Sequence, residues 1–485
     1  MLLIISILLL ALILLANVFH KVNVPLIVLS LLIDIIFGSD LMNLIYFDNA
    51  VITKEFANIA LVFILFIGGF STKKDDLMSV IKPVSLLATV GVAMTAIITA
   101  YLFYLITDWP FYITLLIGAI ISSTDATAVF SILKNQPLQQ NVKTVTEMES
   151  VLNDPMAIVL TTFVLSLLGG EKLNIAKSSL FIIWQLLGGV GIGVLVGLLA
   201  VYIFNKIRNN EKEYFYVYII AIVLLSFSVA EIIKVSGVIA AFFTGFVMGN
   251  SKIPYKKGIL DFNNTLSFIT NMALFILLGL LASPKQFYKV WWQGITIFLI
   301  LTFIARPISV WILTLFTDFK AKEKLFVIWG GVRGTVPIVL ATYPAAAGLD
   351  ETNQIFNIVF FIVALSMLFQ GTTLTFLLKR FGLESNEKDR TSRILELVTI
   401  QDTNYEVIDV YIDPTVYEGS AHIYELKLPP GTLIIFVTRN KKIITPSGST
   451  LIKPNDTLTI LVDKEDIDMI PVDILKSFIY KKKLI

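Results

Sequence analysis

The chain has 485 residues, of which 56% are hydrophobic and only 15% charged, and its mean hydropathy is +0.82, far above that of an ordinary soluble domain. It holds no cysteine and two well-separated histidines, His20 and His422, which excludes disulfides and thiol chemistry and argues against a zinc enzyme. A formal net charge of +2 says little about partners, and nucleic acid is not expected among them.

Apolar runs of roughly 20 residues, each long enough to cross a hydrocarbon core of about 30 Å as a helix, recur along most of the chain. In order they predict about thirteen spans, near 1–19, 22–37, 55–71, 81–106, 111–133, 147–168, 180–205, 214–233, 236–250, 262–282, 293–316, 323–347 and 353–380. The expected fold is therefore an all-α polytopic membrane protein inserted in a lipid bilayer. The opening MLLIISILLLALILLA lacks the basic start and the cleavage pattern of a secretory signal, so it is expected to stay as the first span. Asp34, late in the second span beside Phe37, Gly38 and Asp40, reads as interfacial. In the seventh span the glycines of LLGGVGIGVLVGLLA predict close helix packing, because no strand precedes them to make a nucleotide fingerprint. Glu231 and Lys234, three residues apart near the end of the eighth, read as snorkelling side chains. Loops after odd-numbered spans carry about 17 basic residues against about 6 after even-numbered ones, which puts the N-terminus outside and the C-terminus in the cytoplasm.

A charge in the middle of a spanning helix costs about 2.5 to 3.5 kcal/mol, so intramembrane ionisable residues are functional candidates. They are Asp34, Asp125, Glu147, Glu149, Asp154, Glu231, Lys234, Arg306 and Arg333. On the sixth span Glu147, Ser150 and Asp154 share one helical stripe, while Glu149 and Asn153 share another about 100° away. Glu147 itself, at the cytoplasmic mouth, reads as a solvated helix end in preference to an ion funnel. Pro155 denies an amide to the Val151 carbonyl, which predicts a kink beside Asp154. Counted from the cytoplasmic ends of their spans, Asp125, Asp154, Arg306 and Arg333 come to depths that agree within about 5 Å. GAIISSTDATAVF and WGGVRGTVPIVL each interrupt a span with polar residues or with glycine and proline. Two such segments of opposite polarity predict inverted repeats with two unwound crossing helices around a midplane site. A carboxylate in that setting binds a proton or an alkali ion in competition. Alternating access then suffices for exchange, and because Asn153 does not titrate the simplest ratio is one proton per cation, electroneutral.

At these motifs the chain resembles the NhaP-type cation/proton antiporters. ESVLNDPMA carries the resemblance at Glu149, Ser150, Asn153 and Asp154, together with SSTDATAVF, the ARP around Arg306, and GGVRGTVPIVLA. The Asn-Asp-Pro-Met-Ala wording is similar to the potassium/proton subgroup, and Thr-Asp-Ala stands where the family commonly has Thr-Asp-Pro. The resemblance implies that Asp154 binds K+ or Na+ in exchange for H+, with Ser150, Thr124 and helix-five backbone oxygens completing the shell. It also implies that Glu149 and Arg306 form a buried structural ion pair, and that Asn153 holds Asp125 or the crossing by hydrogen bonds. Asp125 counts among the ion-site residues, and Arg333 either neutralises helix ends or shapes the cavity. A homodimer in a bacterial cell membrane is implied as well. Sodium/proton exchange remains the alternative within transport. A ligand-gated cation channel is the alternative of another class, although no TVGYG-like filter is present. An intramembrane enzyme lacks a nucleophile and base.

After Phe381 the composition changes. The expected division is a transmembrane exchanger domain over 1–382, a linker over 383–398 including SNEKDRTSR, a small α+β domain over 399–476 and a basic tail over 477–485. β-branched runs YEVIDVYI, TLIIFVTR, KIIT and TLTILV alternate with turn chemistry such as PPG, PSG and KPND. This stretch resembles the TrkA-C (RCK-C) domain, through LPPG and the ITPSGSTLIKPNDTL run. The resemblance implies pairing with a second copy and a small-molecule effector, cyclic di-AMP or another nucleotide, with Arg439, Asn440 and Lys441 as the candidate ligand residues. Composition alone reads the same three as a solvated hairpin turn. No other cofactor is expected.

Overall fold

The computed structural model describes residues 49–125, 138–170, 175–207, 212–282, 284–315, 319–350 and 353–383, then 405–412, 420–426, 428–439 and 442–463, with a few single positions beside them. The first two expected spans, with His20 and Asp34, and residues 126–133 of the fifth lie outside the described residues. The chain forms two compact units, Met1–Ser385 and Asn386–Ile485.

In the first unit the helices are α1 (Ala50–Ser71), α2 (Lys74–Ile106), α3 (Phe111–Ile121), α4 (Gln140–Leu168), α5 (Ile175–Phe204), α6 (Lys212–Ile232), α7 (Gly237–Gly249), α8 (Lys256–Leu281), α9 (Phe287–Leu313), α10 (Ala321–Trp329), α11 (Thr335–Ala346) and α12 (Gln354–Phe381). Among the described residues, eight of these are long and apolar enough to cross a membrane. Local chemistry sets their ends. Asn49 Oδ1 accepts from the Ile52 amide at 2.9 Å to start α1, and Gly382, with φ of 65°, takes the left-handed conformation that closes α12 after Lys379 and Arg380. Asp350 accepts from the amides of Gln354, Ile355 and Phe356 at 2.7 to 3.1 Å, satisfying the first turn of α12.

Three boundaries differ from the sequence expectation, each for a local reason. α4 begins at Gln140, two turns earlier than expected, after the Gln139 amide bonds the Leu383 carbonyl at 3.1 Å. It then runs through Pro155 to Leu168 as one helix. The twelfth expected span is two helices, α10 and α11, because Gly330–Gly334 leave the helical path. α3 stops at Ile121, where the polar run Ser122–Asp125 begins. α2, α9 and α12 each contain a π-helical turn, at Leu87–Gly91, Leu301–Ala305 and Met367–Gly371, a feature that redirects side chains within a helix.

The glycines of α5 pack as the sequence predicts. A Cβ at Gly189 would meet Ile239 and the Ser236 carbonyl within 3 Å, and one at Gly193 would meet Phe243 and Ala240. α5 and α7 therefore approach with backbone near backbone, where van der Waals contact drives membrane packing. α1 packs on α7 and α8, whereas α3 packs along α2 and α4, and α11 lies against α1, α3, α4 and α12. Glu231 and Lys234 are exposed at the end of α6, as snorkelling residues should be.

The second unit is built on strands β1 (Tyr405–Tyr411), β2 (Ala421–His422), β3 (Leu433–Arg439), β4 (Lys442–Ile444), β5 (Leu451–Ile452) and β6 (Thr457–Asp463). They form a four-stranded antiparallel sheet in the order β1-β6-β3-β4 and a two-stranded ladder of β2 with β5. Ile408 pairs with Ile460 and Val410 with Leu458, and these side chains are buried with Val437 and Ile452 in one apolar core.

Candidate functional site

The site forms where the two interrupted helices meet. The amide of Asp125 donates to the Val332 carbonyl at 2.8 Å, so the stretches after α3 and before α11 are hydrogen-bonded directly to each other. Helix ends leave carbonyls or amides unsatisfied and carry partial charge. Arg333 Nη1 donates to the carbonyls of Ser122 and Ser123 at 2.6 and 2.7 Å, placing a cation on the C-terminal end of α3. Asp125 Oδ2 accepts from the Thr335 amide at 3.3 Å, placing a carboxylate on the N-terminal end of α11. Among the described residues, the hydrogen bonds of the Arg333 guanidinium are to this helix end. Gly334 must be glycine, because a Cβ there would coincide with the Asp125 carboxylate. The Arg333 amide donates to Ser366 Oγ at 2.9 Å, and Ser366 Oγ donates to Gln370 Oε1 at 2.5 Å, so the π-helical turn of α12 braces the crossing.

α4 presents its two faces to this crossing. On one, Asp154 Oδ1 accepts from Ser123 Oγ, and Ser150 Oγ accepts from Thr124 Oγ1 at 2.9 Å. On the other, Glu149 receives Arg306 through two bonds of 2.8 Å, Nη1 to Oε1 and Nη2 to Oε2. Asn153 joins the faces: Nδ2 donates to Thr124 Oγ1 at 2.5 Å and to Glu149 Oε1 at 3.2 Å, while Oδ1 accepts from the Thr124 amide at 3.3 Å. Of the two partners expected for Asn153, the crossing at Thr124 is the one it holds. All of these side chains are buried.

The structure thus brings together Thr124, Asp125, Glu149, Ser150, Asn153, Asp154, Arg306 and Arg333. Ser123 was assigned no place in the shell by the sequence, although its hydroxyl reaches Asp154. Its only signal was membership of a run of hydroxyl residues that breaks an apolar helix. Ser366 and Gln370 gave weaker signals still, as lone polar residues in an apolar span. Glu147 departs from its expected solvated position. With α4 starting at Gln140 it lies two turns inside the helix and is 9% exposed.

Chemically the two faces differ. The charge of Glu149 is matched by a fixed guanidinium in fork geometry. Asp154 has no such partner among the described residues; it accepts from the Ser123 hydroxyl, and the hydrogen-bonded Thr124 and Ser150 hydroxyls belong to the same crossing, oxygen ligands of the kind that alkali cations take.

In the second unit Arg439 is held in place. Nε and Nη2 donate to Asp456 Oδ1 and Oδ2 at 2.8 and 2.7 Å, and Nη2 also reaches the Leu451 carbonyl at 2.6 Å. The Asp456 carboxylate raises the Arg439 pKa further. Asn440 and Lys441 lie outside the described residues. Among those described, no group of three or more His, Cys, Asp or Glu side chains is arranged to hold a metal ion.

Comparison with known proteins gives consistent matches. The family described as "Sodium/hydrogen exchanger, transmembrane" matches residues 5–380, and the TrkA-C domain matches residues 417–470. The chain is 30% identical over 460 residues to the K(+)/H(+) antiporter NhaP2 of Shewanella sp. (strain MR-4), covering 94% of this chain and 80% of that protein. It is 31% identical over 343 residues to the Na(+)/H(+) antiporter NhaH of Halobacillus dabanensis, covering 67% of this chain and 84% of that one. Its fold is similar to the structure of the sodium proton antiporter MjNhaP1 from Methanocaldococcus jannaschii at pH 8. There the TM-score is 0.69 at 24% identity, over 79% of this chain and 99% of that one.

Proposed function

The chain belongs to the sodium/hydrogen exchanger family, a family of transporters, and from that premise we propose that it exchanges cytoplasmic potassium for protons with Asp154 as the shared binding group. It is a multi-pass membrane cation/proton antiporter carrying a TrkA-C domain. The observation that carries the finer reading is the contrast on α4: Glu149 is paired with Arg306, whereas Asp154 accepts from the Ser123 hydroxyl and makes no ion pair among the described residues, the nearby Arg333 being engaged by the Ser122 and Ser123 carbonyls. A carboxylate so placed takes a proton or a dehydrated alkali ion, one at a time. Each loaded form is neutral and crosses during alternating access, while the empty anion is held back. Asn153, between them, stays uncharged, which supports a ratio of one proton to one cation.

Potassium is favoured by the Asn153-Asp154-Pro155-Met156-Ala157 wording and by relatives named as K(+)/H(+) antiporters. Sodium is the second reading, supported by the relative named as a Na(+)/H(+) antiporter. Two interrupted helices, α3 and α10–α11, each preceded by a helix with a π-helical turn, α2 and α9, support an inverted repeat. The apolar runs support thirteen spans, and the basic loops support an outside N-terminus and a cytoplasmic C-terminus. A homodimer and a small-molecule effector at the TrkA-C domain, with cyclic di-AMP as the first compound to try, complete the proposal. Titration of the full chain with cyclic dinucleotides tests the effector, and absence of heat at high concentration removes it.

Proteoliposomes loaded with a pH dye test the transport reading. A pulse of K+ is expected to collapse an imposed proton gradient without creating a membrane potential, with a smaller response to Na+. A potassium-dependent potential with no proton movement would instead identify a channel.

A further inference from the structure

We propose that Glu147 is a second ion-handling carboxylate, which receives the cation at the cytoplasmic side and passes it along α4 to Asp154. The proposal rests on the antiport reading and the membrane orientation given above.

At about 100° per residue, Glu147, Ser150, Asp154 and Thr161 fall within an arc of about 60° on α4. All four are buried, with Glu147 at 9% exposure, Asp154 at 6%, and Ser150 and Thr161 at 0%. A polar stripe therefore runs along a helix that otherwise buries Ile158, Val159 and Leu160. Glu147 lies about 10 Å from Asp154 along the axis, toward the N-terminal end.

Two buried glutamates on this helix behave differently. Glu149 is matched by the guanidinium of Arg306. Glu147 has neither a hydrogen bond nor an ion pair among the described residues; the charges that reach it are Lys143, one turn earlier on α4, and Asp76 in the first turn of α2. A buried carboxylate with no fixed partner requires a proton or a mobile cation. That requirement is useless for holding helices together but suited to relaying ions.

Thr161 gives an independent indication along the same stripe. Threonines in membrane helices commonly donate back to the preceding turn, as Thr162 does to the Ile158 carbonyl at 3.0 Å and Thr146 to the Val142 carbonyl at 2.8 Å. Thr161 Oγ1 is buried and has no hydrogen-bond partner among the described residues. An unused hydroxyl two turns beyond Asp154 marks the continuation of the path toward the opposite face.

The test measures sidedness. Everted and right-side-out membrane vesicles expose opposite faces of the full-length protein to added KCl or NaCl, with a pH dye as the readout. Glu147→Gln is expected to raise the half-saturating cation concentration about tenfold at the cytoplasmic face, to leave it unchanged at the other, and to keep the maximal rate. Glu147→Asp is expected to restore the wild-type value. A shift equal on both faces, or no shift on either, overturns the proposal. So does a Glu147→Gln protein that fails to assemble, since that assigns the residue to structure. Asp154→Asn, assayed in parallel, separates this inference from the one beneath it: if Asp154→Asn still exchanges, the antiport reading of Asp154 fails regardless of Glu147.

Discussion

Asp125 and Arg333 each sit on the end of the other's broken helix. The arginine of the α10–α11 segment donates to the last carbonyls of α3, and the aspartate after α3 accepts from the first amide of α11. A helix that stops inside a membrane exposes carbonyls or amides that no water satisfies. Here the chain supplies a countercharge to each end from the opposite segment, and the Asp125 amide ties the two together through Val332. With Arg333 engaged by these carbonyls, Asp154, which accepts from the Ser123 hydroxyl, makes no ion pair among the described residues.

Removing Arg333 should therefore loosen the crossing before it changes the ion site. Arg333→Gln leaves the Ser122 and Ser123 carbonyls short of a charged donor, and each buried unsatisfied group costs about 1 to 3 kcal/mol. The expected result is a lower melting temperature in detergent by several degrees together with lost exchange. Gly334→Ala is expected to be worse, because its methyl group takes the position of the Asp125 carboxylate. If Gly334→Ala purified in normal yield with wild-type melting, the exchange of helix ends would be incorrect.

Asp154→Asn should separate function from folding. Asparagine keeps an oxygen for Ser123, so assembly and melting are expected to stay close to wild type. Without a titratable carboxylate no proton can compete with the cation, and dye-loaded proteoliposomes should show no exchange with either K+ or Na+. Ser123→Ala, by contrast, removes a single hydrogen bond and should shift cation affinity by no more than about tenfold.

Much of this centre was legible in the sequence because charges in hydrocarbon are expensive and therefore conspicuous. Asp125, Glu149, Asp154, Arg306 and Arg333 announce themselves against an apolar background, and helical periodicity already separates Glu149 from Asp154. What periodicity does not encode is where a helix begins or unwinds. The depth of Glu147 depends on α4 starting at Gln140, and that start is fixed by a bond from Gln139 to Leu383, a residue distant in sequence. Ser122, Ser123 and Thr124 have nearly the same chemistry. Only the unwound path decides that Ser123 meets Asp154 while Thr124 meets Ser150 and Asn153. Partners such as Ser366 are invisible for a related reason, since a backbone amide freed by unwinding leaves no trace in composition.

The Glu149 and Arg306 pair should behave as a structural unit. Breaking a buried ion pair from one side strands the other charge, at about 3 to 5 kcal/mol. Glu149→Gln and Arg306→Gln are each expected to reduce the folded yield sharply, whereas a combined Glu149→Leu and Arg306→Met should recover much of it. Asn153→Asp belongs in the same series. It replaces an amide that donates to Glu149 at 3.2 Å by a second carboxylate, so the expected outcome is a destabilised protein. A stable Asn153→Asp variant that moved net charge per cycle would show that this position tolerates ionisation and would revise the ratio.

Asp350 offers a pH test outside the membrane-spanning segments. Burial lifts its carboxyl above the ordinary value of 3.8, against the pull of the amide bonds from Phe356, Gln354 and Ile355. An acid whose folded pKa lies above its unfolded one holds its proton longer in the folded state. Stability from this group is thus fully present below 3.8 and declines as pH rises through the window between that value and the folded pKa. Asp350→Asn removes the titration while keeping an oxygen for the first turn of α12. The melting temperature of the wild type should therefore fall relative to the variant as pH is raised across this window. Parallel curves for the two proteins would show that Asp350 titrates as freely in the fold as in the unfolded chain, and would contradict the burial argument.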